Sequence, residues 1–584
     1  MFEKISLINE TNVYVDLNPN VKITNNILSS HVILKDAEKE LIGEISEINS
    51  NQVKIKLIGE FLNGKLFGGI IRKPLMDAEI RPVNNEEISI ILGQRNEGAM
   101  YLGRSPFYNG AQVCLSVNNF FSNHFAIFGN SGSGKTCGTA RLLQNAFQNK
   151  ETPPYNANIL IFDVSGEYAN AFSALSSIDS RFDYRVFSTN YRSAECDPLK
   201  IPLWLLDTND IALLLMSDKH SQLPLIERMV KLSKIFGESS ELASKYKDHL
   251  IEKTIISILY GDSTPIKKKN DIFRVVEICP TPNFNMEASI QGLGYTRKLR
   301  ECFNIDKLGS FTDGILFSEY VSKFIHEEYD SYEPKNNVYF TLRDLEKALD
   351  FTLISDGWYN NPNTYADASS VRVRLHSLIT SEQSEIFNYP RQVDVQHFLG
   401  DTFYKNNKKR QVVIINLEDI DDSLASVIVK IYSKIIFNFS KTIPKKGSLP
   451  FHIIVEEAHR YIKKDQDDFL IGYNIFERIA KEGRKYGVIL GIISQRPVEL
   501  SDTVISQCSN FLIFKTNHPS DEEYIRKMIP NINSDIVDKQ KSLQSGSCLG
   551  FGTAFKIPVI VYLDMPNPSP LSSNSNIVAY WKSV

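Results

Sequence analysis

The chain has 584 residues, of which 42% are hydrophobic and 23% charged, and its formal net charge at pH 7 is −4. This length exceeds what one hydrophobic core can serve and predicts about two to four domains. The near balance of charge excludes a uniformly basic surface, so any nucleic acid would have to meet a local basic patch or a channel formed by assembly.

The cysteines and the apolar runs indicate in which cellular compartment the protein is expected. The seven cysteines are scattered and include no C-x-x-C pair, which argues against structural zinc and against a disulfide framework. The first residues resemble no secretory leader, and no apolar run reaches the roughly 18 residues that a membrane-spanning helix needs. We therefore expect a cytoplasmic protein that has no membrane segment.

Residues 1–95 have the pattern of an all-β domain. Two alternating stretches, Glu44–Ile48 and Val53–Leu57, flank a turn-like Asn49-Ser50-Asn51 and predict a hairpin. Further short apolar runs follow at close spacing, which is typical of a small barrel. We interpret this region as an assembly domain, since nothing in it indicates chemistry.

The most informative stretch begins with the apolar run His124–Phe128 and continues as G-x-x-x-x-G-K-T from Gly129, with a helix predicted from Cys137. Its glycines let backbone N–H groups surround phosphates, Lys135 supplies charge for the β- and γ-phosphates, and the Thr136 hydroxyl is placed to hold Mg²⁺. We therefore predict a nucleoside triphosphate site. Its predicted contacts are Gly129, Ser131, Gly132, Ser133, Gly134, Lys135, Thr136 and Cys137.

The next apolar strand, Ile159–Phe162, ends in Asp163, at the strand end where open α/β sheets bind ligands. We predict that Asp163 takes part in the nucleotide site; the alternative is an acid that caps a helix or closes a turn. Glu167, four residues on, is not counted among the predicted site residues. From about 205 to 400 the strand pattern lapses and apolar residues recur at helical spacing, which predicts a helical insertion.

A second apolar strand, Phe451–Val455, ends in two acids. In this position Glu456 would orient the water shell of Mg²⁺, and Glu457 would polarise the attacking water as a general base. A third strand, Val488–Ile493, is followed by Ser494 and Gln495. An amide at that strand end can sense the γ-phosphate or position water, so Gln495 is predicted as the sensor.

Together these motifs resemble the HerA family of hexameric ATPases, of the bacterial type, within the wider HerA–FtsK group. The resemblance rests on the barrel-like start and on Gly129–Thr136, Asp163–Tyr168, Val455–Arg460, Glu482–Gly487 and Ser494–Pro497. It implies an α/β fold with a RecA-like P-loop core, an N-terminal small β-barrel and a helical insertion. The implied domains are a barrel at 1–95, core parts at 96–204 and 401–565, the insertion at 205–400 and a C-terminal extension at 566–584.

The resemblance also implies ATP and Mg²⁺ as cofactors and a homo-hexameric ring with DNA in its pore. ATP would lie between neighbouring subunits, with Glu457 as catalytic base, Gln495 as sensor and an arginine from the neighbour at the γ-phosphate. Arg484 is the first candidate for that arginine, Arg478 the second and Arg460 the third. Glu456 stands where the family usually has an aspartate. Its longer side chain would shift the Mg²⁺ shell, so ATP binding is a firmer expectation than fast ATP turnover.

Contacts to DNA would come from lysines on loops at the carboxyl ends of the core strands, and they would be independent of sequence and sensitive to salt. The candidates are Lys445, Lys446, Lys463 and Lys464; the alternative is solvated loop charge.

The leading hypothesis is an ATP-driven DNA translocase or helicase. The chain carries no recognisable nuclease constellation, so it would work with a separate NurA-like nuclease, a SIR2-like enzyme or another effector, in DNA end processing or anti-phage defence. The second hypothesis is a hexameric nucleotide-binding scaffold that recruits and regulates an effector, with slow, DNA-insensitive hydrolysis. A membrane-associated secretion or conjugation ATPase is disfavoured because no membrane segment is predicted.

Overall fold

The computed structural model describes residues 2–9, 12–18, 27–49, 51–190, 196–217, 220–307, 309–329, 332–334, 338–358, 362–464, 474–528, 541, 543–571, 577 and 581. The chain divides into two compact units. The first comprises Met1–Asp197, Asp401–Gln466 and Tyr473–Val584, and the second Pro198–Gly400 with Asp467–Gly472. The second unit corresponds to the predicted insertion, whereas the finer division into five segments stays a prediction.

The chain begins with an antiparallel sheet that forms a half-barrel, in the order β1-β2-β5-β4-β3-β7 with β6 paired to β5. Alternate residues such as Val13, Val15, Val53 and Ile55 are buried on one face, as the alternating sequence predicts. The predicted hairpin is present, since Ile48 pairs with Val53. The elements are β1 (Phe2–Ile8), β2 (Asn12–Leu17), β3 (His31–Lys35), β4 (Glu40–Ile48), β5 (Gln52–Leu62), β6 (Lys65–Gly68), β7 (Glu79–Pro82) and α1 (Asn85–Ile91).

The first part of the α/β core follows. Every residue of the strands Phe125–Phe128 and Asn158–Asp163 is buried, as expected for parallel strands that are covered on both faces. The elements are β8 (Ala99–Arg104), β9 (Gln112–Ser116), α2 (Val117–Phe121), β10 (Phe125–Phe128), α3 (Lys135–Gln148), β11 (Asn158–Asp163), α4 (Leu175–Ile178), β12 (Tyr184–Ser188) and β13 (Asp197–Pro198).

The second unit is mainly helical, with one short hairpin. Its α7 carries Glu252, whose side chain is 1% exposed, and burial raises the pKa of this carboxyl to about 7. The elements are α5 (Thr208–Leu214), α6 (Leu223–Gly237), α7 (Glu241–Tyr260), α8 (Pro265–Ile278), β14 (Ser289–Gln291), β15 (Thr296–Lys298), α9 (Leu299–Cys302), α10 (Gly314–Val321), α11 (Leu342–Ser355), α12 (Pro362–Thr380) and α13 (Val395–Phe403).

The chain then returns to the core with β16 (Tyr404–Lys405), β17 (Lys408–Lys409), β18 (Val412–Asn416), α14 (Asp422–Thr442), β19 (Phe451–Val455), α15 (Ile475–Tyr486), β20 (Val488–Ser494), α16 (Asp502–Ser506), β21 (Asn510–Phe514), α17 (Pro519–Met528), β22 (Ser547–Gly552) and β23 (Val559–Tyr562). The helix α14 is long and apolar enough, by length and composition alone, to cross a membrane; 67% of its apolar window is buried inside the protein. The sequence analysis passed over it because lysines interrupt its apolar residues.

The core strands form one sheet in the order β13-β12-β18-β11-β19-β20-β10-β21-β22-β23-β8-β9. The strands from β12 to β21 are parallel, and the pairs from β21 to β9 are antiparallel. Because β20 lies between β10 and β19, the carboxyl ends of β11, β19, β20 and β10 follow one another along a single edge of the sheet. We call it the carboxyl edge. The predicted α/β fold class, with its β-rich start and helical insertion, is confirmed.

Candidate nucleotide-binding site

The predicted P-loop joins the carboxyl end of β10 to the amino end of α3. Gly132 and Gly134 have φ angles of 73° and 105°, in the left-handed region that a residue with a Cβ adopts only at a cost. Gly134 caps α3, which begins at Lys135, so the positive end of that helix faces the loop. The loop thus has the backbone that an anion needs, and all eight predicted contacts lie on it or in the first turn of α3.

The P-loop is held from two sides. The Asn130 N–H donates to the Lys515 carbonyl after β21 over 2.9 Å. The loop before β22 contributes the Gly546 N–H, 3.1 Å from the Ser133 carbonyl, and the Ser545 hydroxyl, which donates to the Gly132 carbonyl over 3.1 Å. These bonds fix the loop before any ligand arrives.

Lys135 points back into the loop and is 8% exposed. Its ammonium donates to the Asn130 carbonyl over 3.0 Å. Burial lowers the pKa of Lys135, while the nearby carboxylates of Glu457, Glu456 and Glu167 raise it in part. A phosphate would give this buried cation a charged partner in place of a neutral carbonyl.

Asp163 is fully buried, and its carboxylate accepts the backbone N–H groups of Ser165, Glu167 and Tyr168 over 3.3, 3.2 and 2.9 Å. It therefore closes the turn after β11, as the alternative from the sequence has it, and its part in the nucleotide site stays a prediction. Its other neighbour is Glu456, 5% exposed, which accepts the Val164 N–H over 3.3 Å.

Asp163 and Glu456 form a buried pair of carboxyl groups. Burial is the largest cause that raises the pKa of each, and the charge of Asp163 raises the pKa of Glu456 further. A hydrogen bond between two carboxyl groups needs one proton, so the two groups titrate as a pair. The acid predicted to orient the Mg²⁺ shell is thus engaged within the protein.

Glu167 belongs to the site, although the sequence analysis left it out. Its carboxylate accepts a hydrogen bond from the Thr136 hydroxyl and lies near Lys135, and burial raises its pKa. The turn closed by Asp163 holds the Glu167 backbone and directs its side chain toward the P-loop. The signal in the sequence was the spacing of four residues between Asp163 and Glu167. This spacing brings both acids to the same strand end only if the chain turns between them.

Glu457 begins the turn after β19 with φ 44° and ψ 45°, a left-handed conformation that is uncommon outside glycine. Its side chain is 16% exposed. Among the described residues, no donor is aligned for a hydrogen bond to its buried Oε2. The His459 Nδ1 lies 3.3 Å from that oxygen, and burial lowers the pKa of His459, which leaves its ring neutral at pH 7. The carboxylate is therefore available to a water molecule.

Beside the P-loop lies a groove of about 530 Å³, the size of small-ligand sites. Gln495 lines it next to Asn130 and Ser131, as a sensor of the γ-phosphate would. Arg496 also lines it and forms an ion pair of 2.8 Å with Glu499. Arg496 and His459 were not predicted from the sequence, because neither stands out until β19 and β20 are placed side by side.

The three candidate arginines lie apart from one another. Arg484 is exposed in the last turn of α15, close enough to His124, just before β10, to lower the pKa of that imidazole, although burial is the larger cause. It thus lies toward the amino ends of the strands, away from the P-loop of its own chain. Arg478 lies 5.8 Å from the Phe437 ring, and Arg460 pairs with Asp422 over 3.0 Å. Action of any of them on a neighbouring subunit stays a prediction.

The four candidate lysines do not share one edge of the sheet. Lys463 and Lys464 follow β19 at the carboxyl edge, and the Lys464 ammonium pairs with Asp502 over 3.0 Å. Lys445 and Lys446 precede β19 and lie at the opposite, amino edge, where the Lys446 ammonium is 5.6 Å from the Tyr486 ring. The expected placement was wrong for this second pair, because the loop before a parallel strand lies at the other end of the sheet.

The chain after β23 returns to the site. The Asn567 N–H donates to the Gln144 side chain on α3 over 3.0 Å, and the Gln144 amide donates to the Pro568 carbonyl over 2.9 Å. The Leu571 N–H donates to the Glu167 carbonyl over 2.9 Å. We call residues 567–571 the strap. It ties the P-loop helix to the turn that carries Glu167.

This sheet order, with a P-loop after one strand, two acids after a second and an amide after the strand between them, defines an ATPase of the RecA-like P-loop class.

Comparison with known proteins gives the family. The family model described as "Helicase HerA, central domain" matches residues 100–277. The DNA double-strand break repair helicase HerA of Saccharolobus solfataricus is 33% identical over 181 residues, which are 30% of this chain and 36% of that protein. A probable HerA of Methanocaldococcus jannaschii is 23% identical over 94% of this chain and 93% of its own. The predicted resemblance to the HerA family is confirmed, and the chain is an ATPase.

Solved structures are similar at lower scores. VirB4 of Thermoanaerobacter pseudethanolicus has a TM-score of 0.42 and 14% identity, and the match covers 80% of this chain and 97% of that one. The plasmid coupling protein TrwB in complex with ADP and Mg²⁺ also has a TM-score of 0.42, with 11% identity over 83% of this chain and 93% of that chain.

Proposed function

We propose that this protein is an ATP-driven DNA translocase or helicase that works as a homo-hexameric ring in the cytoplasm, with DNA in the central pore. In this proposal a separate nuclease or effector enzyme acts on the DNA, in end processing or anti-phage defence. The similarity to repair helicases named HerA supports the DNA substrate. The observation that carries the proposal is the meeting of Lys135, Glu457 and Gln495 at the carboxyl edge.

The chain's own residues suit ATP with Mg²⁺. The P-loop N–H groups and Lys135 would hold the phosphates. The Thr136 hydroxyl and the carboxylates of Glu167 and, through water, Glu456 are hard oxygen ligands of the kind that Mg²⁺ prefers, and the ion would neutralise phosphate charge. The free oxygen of Glu457 would take a proton from the attacking water, and Gln495 would orient that water or contact the γ-phosphate.

Two groups of basic residues complete the proposed motor. Arg484 of one subunit would reach the ATP of its neighbour, with Arg478 and Arg460 as the next candidates. Its exposed position toward the amino ends of the strands supports an action between chains. Lys463 and Lys464 would face DNA, and six copies of the pair would give a ring of positive charge that an acidic chain can present to phosphates.

The test is steady-state ATP hydrolysis by the whole protein, with and without linear duplex DNA, beside Lys135→Ala and Glu457→Gln. Stimulation of several-fold by DNA, lost in both variants and weakened by salt, is the expected result. Slow hydrolysis that DNA leaves unchanged, alone and with the effector present, would overturn the motor.

One observation favours a second candidate, the nucleotide-binding scaffold. The Glu456 carboxyl is buried against Asp163 and bonded to the Val164 N–H, so it has to be released before it can orient a metal-bound water. If that release is rare, ATP would bind well and turn over slowly. A scaffold would keep its effector bound and regulated in the Glu457→Gln variant, whereas a motor would not.

A further inference from the structure

The base Glu457 and the sensor Gln495 stand on different strands, and one side chain lies between the ends of those strands. His459 belongs to the short 3₁₀ segment Ala458–Arg460 that follows Glu457. Its Nδ1 lies 3.2 Å from the hydroxyl of Ser494, the last residue of β20, and 3.3 Å from Oε2 of Glu457. One nitrogen therefore faces both strand ends.

The backbone of Glu457 needs such support. Its left-handed conformation is unfavourable for a residue with a Cβ. The 2.9 Å bond from the Arg460 N–H to the Glu457 carbonyl closes the turn, but the carboxylate oxygen Oε2 has no aligned donor among the described residues. The carboxylate therefore has to be oriented by a neighbouring side chain, and the His459 Nδ1 lies 3.3 Å from its Oε2.

Ser494 links the same imidazole to the sensor. Its hydroxyl is fully buried and also accepts the Arg496 N–H over 3.0 Å, so it closes the turn whose middle residue is Gln495. A displacement of Gln495 on meeting the γ-phosphate would move the Ser494 hydroxyl and change its bond to His459. Nδ1 of His459 lies almost equally far from the Ser494 hydroxyl and from the Glu457 Oε2, since the two distances differ by 0.1 Å.

We propose that His459 is a positioning residue that couples the sensor strand β20 to the catalytic base Glu457. The contact between Nδ1 and Oε2 orients the Glu457 carboxylate toward the attacking water. The contact between Nδ1 and the Ser494 hydroxyl makes that orientation depend on the position of β20, and thus on the contact of Gln495 with the γ-phosphate. The inference rests on the proposed function, since it assigns a regulator to the same site.

The experiment compares single-residue variants of the whole protein by kcat, KM, nucleotide Kd and Tm. In His459→Asn the amide nitrogen takes the place of Nδ1, whereas in His459→Gln it takes the place of Nε2, so the two form a matched pair. We expect His459→Ala and His459→Gln to lower kcat about 10- to 100-fold, while KM, Kd and Tm change little. His459→Asn should keep kcat within about fivefold of the natural protein.

Ser494→Ala should lower kcat in the same way, and Glu457→Gln combined with His459→Ala should be no slower than Glu457→Gln alone, because both changes act through one carboxylate. Unchanged kcat in His459→Ala, or a loss that His459→Asn and His459→Gln share equally, would overturn the inference. A rise in nucleotide Kd or a fall in Tm that is large enough to explain the lower kcat would assign His459 a structural role. That result would also overturn the inference. If the natural protein and Glu457→Gln hydrolyse ATP at one rate, the proposed function itself fails, and the coupling with it.

Discussion

The two edges of the core sheet differ in what they hold. At the carboxyl edge the P-loop, Glu167, Glu457 and Gln495 follow four neighbouring strand ends, and the P-loop and Gln495 line one groove there. At the amino edge lie Arg484, Lys445 and Lys446, which are exposed, and the Lys446 ammonium is 5.6 Å from the Tyr486 ring. Residues at the carboxyl edge can act on the nucleotide of their own chain, whereas residues at the amino edge can act only on a neighbouring subunit or another molecule. The direction of a strand thus decides which of these a residue at its end can contact.

The largest expected effect tests the carboxyl edge directly. Glu457→Gln should lower ATP hydrolysis about 10²- to 10⁴-fold, because it removes the carboxylate that takes a proton from water. Nucleotide affinity should persist, since Lys135 and the P-loop backbone are untouched, and it can be measured with a fluorescent ATP analogue. Lys135→Ala is the contrasting variant and should lose binding itself. Equal hydrolysis in Glu457→Gln and the natural protein would remove the base from this edge.

A smaller effect is expected at Glu167. Glu167→Gln weakens the acceptor of the Thr136 hydroxyl and removes a charge beside the P-loop, so hydrolysis should fall about tenfold and half-saturation should need more Mg²⁺. The measurement is a Mg²⁺ titration of ATPase rate. Glu482→Gln, which changes an acid at the amino end of the same sheet that pairs with Lys441, should leave the titration unchanged. Identical curves for both variants would exclude Glu167 from the site.

The lysines allow a matched comparison of the edges. A Lys463→Ala, Lys464→Ala double variant should weaken DNA binding several-fold and flatten its salt dependence, because two phosphate contacts per subunit are lost. Lys445→Ala with Lys446→Ala makes the same change of charge at the amino edge and should have little effect. DNA affinity measured at several salt concentrations decides between them. The reverse ranking would place the DNA path at the amino edge.

The smallest expected effect belongs to neither edge and concerns Glu252 in the helical unit. With its pKa raised to about 7 in the folded state, this acid ionises first in the unfolded chain, so stability falls as pH rises from about 4.5 to 7 and is level above. Glu252→Gln should therefore raise the free energy of unfolding by on the order of 2 kcal/mol above pH 7 and leave it unchanged near pH 4.

Thermal unfolding at several pH values measures this difference. Glu241→Gln on the exposed end of the same helix is the control and should shift Tm little at any pH. A stabilisation by Glu252→Gln that is the same at pH 4 and pH 8 would show that the carboxyl does not titrate in this range.

Contiguous motifs were predictable from the sequence, whereas contacts between strand ends were not. The P-loop, Glu457 and Gln495 could be placed because each follows its own apolar strand. Glu167 could not, because its approach to Thr136 depends on the turn that Asp163 closes. His459 became visible only once β20 was known to lie beside β19, and the misplacement of Lys445 and Lys446 came from ignoring strand direction.

The strap links residues 567–571 mechanically to the nucleotide site. The Leu571 N–H is hydrogen-bonded to the Glu167 carbonyl, and Asn567 and Pro568 are hydrogen-bonded to Gln144 on the P-loop helix, so a displacement of the strap would move both that helix and the turn that carries Glu167. An affinity tag or a fusion partner attached there would act as a lever on the ATPase. A protein used for kinetics should therefore carry its tag at another position. A partner protein that binds next to the strap would change the rate of ATP hydrolysis.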